Sequence, residues 1–149
     1  EFQRHKRMGI HPVQLRDDAG EVRGPESVWA SIRDLPVTRI GHGVRSAEDP
    51  RLLEELARRG TGLEVCPGSN VALGLYRDRD EHPLHRLIAA GVRVTLGSDD
   101  PPFFHTTLGT EYDQAGLDPQ ALRRITRTAI EASFADEETK QRLLKGVSA

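Results

Sequence analysis

Two adjacent carboxylates, Asp99 and Asp100, close the stretch VRVTLGSDDP, residues 92–101. Like charges side by side repel, and partial desolvation at a strand end adds to that cost. A metal ion or a hydrogen-bonding ligand would relieve it, so the pair marks a candidate chemical centre. The plainer reading is a turn, because Asp-Asp-Pro-Pro is also good loop chemistry. His42 stands between Gly41 and Gly43. Flanking glycines let a ligand approach the backbone closely, and a histidine there can bind metal or act as a base. Its plainer reading is a buried histidine bonded to backbone. Glu21 follows Gly20 and could act as a general acid if burial raised its pKa; alone, it reads as a solvated turn residue.

Other polar residues carry less. Cys66 precedes Pro67 and reads as a small buried hydrophobe. There is no C-x-x-C pair, so the Cys/His zinc-deaminase signature is absent. His82 and His85 could share a helix face, but nothing acidic or sulfur-bearing is placed to complete a site with them, and His105 falls in a loop. The G-x-G at Gly41–Gly43 lacks the third glycine of a dinucleotide fingerprint.

These residues need elements to hold them. Alternating apolar positions predict strands at about 12–16, 38–42, 62–66 and 92–97. Asp17–Glu21 reads as an acidic turn after the first strand, and Pro67–Asn70 as the stop of the third. Helices are expected after Gly24-Pro25, Asp49-Pro50, His82-Pro83, Thr106 or Thr107, Asp118-Pro119 and Ala135. Gly60 and Gly91 follow the second and third of these as C-terminal stops. Strand and helix alternate, which is the β/α unit with parallel strands. A closed (β/α) barrel needs eight strands in about 250 residues, so four strands make either an open sheet or part of a barrel. Asp18/Glu21, His42, Ser69/Asn70 and Asp99/Asp100 all fall at the C-terminal ends of the strands. That edge holds the active site in either architecture, and its spread over every strand favours an arc of a barrel mouth.

Bulk properties narrow the function classes. The 149 residues carry a formal charge of −2 with acids and bases interspersed, so neither nucleic acid nor a membrane surface is an expected partner. No apolar run approaches the roughly 18 residues of a membrane span, and no secretory pattern stands behind EFQRHKRMG. A single cysteine allows no internal disulfide, which favours the cytoplasm. The Glu-Phe start reads as that of a fragment.

In combination the motifs are specific. AGEVRGPESVW (19–29), TRIGHGVR (38–45), LEVCPGSNV (63–71) and HPLHRLIAAGVRVTLGSDDPPFF (82–104) resemble the adenosine deaminase family of zinc-dependent amidohydrolases in order and spacing. The resemblance implies the C-terminal half of a TIM-type (β/α)8 barrel, strands five to eight plus C-terminal helices. It covers residues 19–149, with 1–18 as a poorly matching segment. It implies that Glu21 is the proton donor to the purine ring and that His42 orients or deprotonates the zinc-activated water. It further makes Asp99 a zinc ligand, with Asp100 and Gly20 as substrate-binding residues. Asp18 stands where the family keeps a histidine ligand. A carboxylate can bind zinc, but two carboxylates make a poorer zinc site than three histidines and one.

The implied reaction is zinc-dependent hydrolytic deamination of adenosine or deoxyadenosine to inosine and ammonia, with a purine nucleoside as substrate. A complementing N-terminal half would supply the remaining zinc ligands, and the chain alone is expected to hold zinc poorly. The alternatives are a non-catalytic truncated or degenerate paralogue acting as a binding module, or a deaminase of another aminopurine such as adenine, AMP or aminodeoxyfutalosine.

Overall fold

The computed structural model describes residues 15–147. Four strands, β1 (Leu15–Ala19), β2 (Val37–His42), β3 (Gly62–Val65) and β4 (Arg93–Leu96), form one sheet in sequence order. All three pairings are parallel. Between and after the strands run α1 (Pro25–Asp34), a 3-10 turn (Val44–Glu48), α2 (Pro50–Arg59), α3 (Pro67–Ala72), α4 (Leu84–Ala89), α5 (Pro101–Phe104), α6 (Leu108–Asp113), α7 (Pro119–Ala132) and α8 (Glu137–Val147).

The sequence places most of these ends by local chemistry. Asp49 caps α2 by accepting from the N–H groups of Arg51 and Leu52, and Gly60 ends it in the left-handed conformation. Thr107 caps α6, and Asp118 caps α7. Each side-chain oxygen satisfies an N–H that the first helical turn leaves unpaired.

Two expectations are corrected. The described part of the first strand is Leu15–Ala19, so it runs past the expected end at residue 16; residues 12–14 of the expected strand lie outside the described residues. The pair read as an acidic turn, Asp17-Asp18, is therefore inside a strand. It is tolerated there because each carboxylate has a partner on its own face: Asp17 accepts from Ser31 Oγ at 2.5 Å, and Asp18 pairs with Arg16 at 3.0 Å. Pro67–Ala72 is a short helix rather than a plain stop. Proline at its first position suits a helix start, where the missing N–H would have no partner.

The two faces of the sheet differ. Ile40, Leu63, Val65, Val94 and Leu96 are buried in one apolar core with Val28 and Ile32 of α1, Leu52, Leu53 and Leu56 of α2, and Leu84 and Leu87 of α4. Ile125 of α7 joins the same core. Residues at alternating positions point to the opposite face, where Arg16, Arg39 and Glu64 stand beside Thr95. Arg16 and Arg39 both pair with Glu64. Arg16 reaches Glu64 across Gly41, where a Cβ would sit 1.9 Å from Asp18 Oδ1 and 2.4 Å from Arg16 Nη2. The absence of a side chain at Gly41 leaves the space through which this arrangement of Arg16 and Asp18 closes.

Candidate active site

The C-terminal ends of the strands bring the candidate residues together. Ala19 and His42 are register partners at the ends of β1 and β2, so Glu21 and His42 leave neighbouring strands side by side. Glu21 Oε1 lies 3.1 Å from His42 Nδ1. The approach is off the direction a ring N–H would take, and His42 Nδ1 is a buried polar atom without a hydrogen-bond partner. Ligand atoms of His42, Cys66 and Asp99 all lie within 4.8 Å of one another. A cavity of about 340 Å³ opens over this cluster, lined also by Arg16, Glu64 and Thr95.

The backbone is strained at two of these positions. Outside glycine, positive φ occurs among the described residues at His42 (61°), Asp99 (55°) and His105 (49°). Residues with a Cβ resist this region, and strain of this kind gathers at functional sites. Here it turns the His42 and Asp99 side chains out of their strand ends toward a common point.

Glu21 titrates above the ordinary carboxylate range. Burial is the main cause, and the negative charges of Asp99 and Asp18 add to it; the facing His42 and a hydrogen bond from Asn70 oppose it. Burial likewise pushes the Cys66 thiol up to about 12, with Asp99 adding to the effect.

The other expected site residues take varied positions. Gly20 is buried in the left-handed conformation (φ +68°), where a Cβ would meet Val28 at 2.4 Å. Its N–H is already donated to Ser27 Oγ at 2.9 Å, and its carbonyl accepts from Arg45 N–H. Asp100 occupies the N-cap position of α5, and its side chain makes no capping bond. Asp99 and Asp100 are both exposed, so the desolvation expected from the sequence does not hold for them. The Asp18 side chain is 62% exposed and turned onto Arg16, outside the cluster of His42, Cys66 and Asp99.

Three residues have contacts that the sequence reading did not assign. Cys66, read as a small hydrophobe, is buried as expected, yet its sulfur also joins His42 and Asp99. Asn70 Nδ2 donates to Glu21 Oε1 at 3.0 Å, and His82 Nε2 meets Asn70 Oδ1 at 3.2 Å. Asn70 is fully buried and His82 is 4% exposed. Burial, with the Arg79 charge, lowers the His82 pKa to about 4. The signal for Asn70 was its place after a strand end, and for His82 only its place at a helix start.

The donor set suits a borderline metal such as zinc, which takes nitrogen, sulfur and oxygen ligands. The orphaned nitrogen of His42 and the carboxylate of Asp99 meet that chemistry, while the exposed Asp18 carboxylate pairs with Arg16 outside that cluster.

A parallel sheet with carboxyl, imidazole and thiol groups gathered at its C-terminal edge has the architecture of part of a (β/α) barrel. The family model described as adenosine deaminase matches residues 2–149, and the chain belongs to that family. An adenine deaminase of Rhizobium leguminosarum bv. trifolii (strain WSM2304) is 55% identical over 130 residues, covering 85% of this chain and 40% of that protein. The crystal structure of adenine deaminase from Arthrobacter aurescens superposes with a TM-score of 0.87 at 29% identity, covering 99% of this chain and 45% of that one. The N6-methyl-AMP deaminase of Arabidopsis thaliana gives 0.78 at 27% identity, covering 98% and 43%. The chain therefore spans about two fifths of the length of the curated relatives it matches, as a half barrel requires.

Proposed function

We propose that this chain is the C-terminal half of an aminopurine deaminase whose substrate is adenine, converted with water to hypoxanthine and ammonia. Adenine replaces the adenosine of the sequence reading because both the 55%-identical relative and the neighbour of highest TM-score quoted above are adenine deaminases. The observation that carries the reaction class is the convergence of Glu21, His42 and Asp99 at one sheet edge, with Glu21 held toward its protonated form.

In this reading Glu21 gives a proton to the ring nitrogen beside C6, which makes that carbon electrophilic. His42 takes a proton from the attacking water, whose oxygen adds to C6, and passes it to the amino group. The C6–N bond breaks, ammonia leaves, and the remaining hydroxyl proton restores Glu21. Asp99 is the metal ligand this chain contributes, with further ligands coming from a preceding half of the barrel. Zinc, when bound, brings the pKa of water toward 7. Asp100 lies at the same edge as a candidate for contact with the purine, whereas Gly20, buried with its N–H and carbonyl both bonded, shapes the turn that presents Glu21.

The test mixes this chain with the N-terminal three fifths of the Rhizobium leguminosarum relative and zinc, and measures ammonia release. The expected result is zinc-dependent turnover of adenine in preference to adenosine, reduced roughly 100-fold or more by Glu21→Gln. A folded, zinc-loaded mixture that releases no ammonia from adenine, adenosine or AMP would overturn the reading.

A further inference from the structure

We infer that Asn70 and His82 are positioning residues that decide which oxygen of Glu21 carries the proton. This rests on the reading of Glu21 as proton donor, and it starts from a chain of hydrogen bonds whose directions are fixed from one end. The backbone N–H of Leu84 donates to His82 Nδ1 at 3.1 Å. That nitrogen must therefore be an acceptor, and the neutral ring carries its hydrogen on Nε2. Nε2–H then donates to Asn70 Oδ1 at 3.2 Å. Asn70 cannot be turned over, because its amino group would meet another donor. Its Nδ2 consequently faces Glu21 and donates to Oε1 at 3.0 Å.

The consequence falls on Glu21. Oε1 already accepts from Asn70 Nδ2, and His42 Nδ1, 3.1 Å from that same oxygen, makes no hydrogen bond with it, so Oε2 is the favoured seat for the proton of a neutral Glu21. The opposite tautomer of His82 would let Asn70 present its carbonyl oxygen to Glu21. That oxygen would accept the Glu21 proton and draw it away from the substrate. A backbone amide at the head of α4 therefore sets the state of a carboxyl on the loop after β1.

The chain is built to persist. Asn70 is fully buried and His82 nearly so, and the Tyr76 ring packs edge-on against His82 with centroids 5.0 Å apart. Asn70 sits on α3, whose first turn is held by Gly68 N–H donating to Glu111 Oε2 at 3.0 Å. A buried network in which every member is satisfied gives rigidity, whereas a half-satisfied one is costly.

Two measurements test this. In the 15N-labelled chain, long-range proton–nitrogen correlation reads the His82 tautomer and the Asn70 side-chain amide. Expected are a bare Nδ1, a protonated Nε2 and an Asn70 amide signal that shifts on Glu21→Gln. A hydrogen on Nδ1, or an Asn70 amide indifferent to Glu21→Gln, overturns the proposal. In the reconstituted mixture, Asn70→Leu and His82→Phe are expected to lower kcat roughly tenfold with KM within about threefold. His82→Gln, which keeps a donor toward Asn70, is expected to recover most of that loss. Equal losses for the Phe and Gln variants, or a loss confined to KM, also overturn it. If the mixture deaminates nothing, the deaminase reading fails, while the nitrogen spectra still decide whether the pair fixes Glu21.

Discussion

Glu21 and Glu111 both lie beside loops that leave the C-terminal ends of the strands, and their surroundings drive them in opposite directions. Glu111 is fully buried. Burial pushes it toward the protonated form, but Arg79 grips both oxygens at 2.9 Å, Thr106 Oγ1 donates at 2.6 Å and Gly68 N–H at 3.0 Å. Together these hold its pKa below the usual range. Glu21 is only half-buried, yet its pKa is raised, because burial meets no permanent cation and two further acids stand near. Burial alone does not decide a carboxyl's charge; the partner does. The same edge therefore holds one carboxylate kept charged by its partners and another shifted toward its protonated form.

The strongest way to break this contrast is to remove the clamp. Glu111→Ala leaves Arg79 without its partner and Gly68 N–H without an acceptor. The expected loss is about 3 kcal/mol of unfolding free energy, the lower end for a buried pair because Arg79 keeps some contact with water. Urea denaturation measures it. An unchanged midpoint would show that the clamp adds nothing to stability.

Acid titration sharpens the contrast by sign. A histidine whose pKa falls from 6.5 to about 4 on folding binds more protons when unfolded, so stability drops as pH falls from 6.5 toward 4. The expected size for His82 is on the order of 3 kcal/mol. Glu111 acts in the same direction below its unfolded value of 4.5, and its contribution is lost as pH falls through its lowered folded pKa. Glu21 acts oppositely: its raised pKa adds stability as pH falls through that value toward 4.5. Urea midpoints from pH 7 to 4 should fall, less steeply in His82→Phe and more steeply in Glu21→Gln. Parallel curves for all three chains would remove the distinction. The smallest effect is expected for Thr106→Val, which deletes one hydrogen bond of the clamp and keeps its shape. It should cost about 1 kcal/mol by the same denaturation, and no loss would assign the clamp to Arg79 and Gly68 alone.

Caps and stops such as Asp49, Gly60, Thr107 and Asp118 were legible in the sequence because each acts on groups within a few residues of itself. The β/α alternation and the polar strand ends were legible for the same reason, since period and breakers are local signals. Together with the family resemblance they located Glu21, His42 and Asp99 on one edge. The sequence could not set the first strand, because the charges of Asp17 and Asp18 hide its alternation until Arg16 and Ser31 stand beside them. Nor could it join Glu21 to Asn70, 49 positions away, or Arg79 to Glu111, 32 positions away. Those pairings exist only where the parallel register brings distant loops to one edge. There burial converts ordinary polar residues into groups that must find each other, and only the tertiary structure decides which ones do.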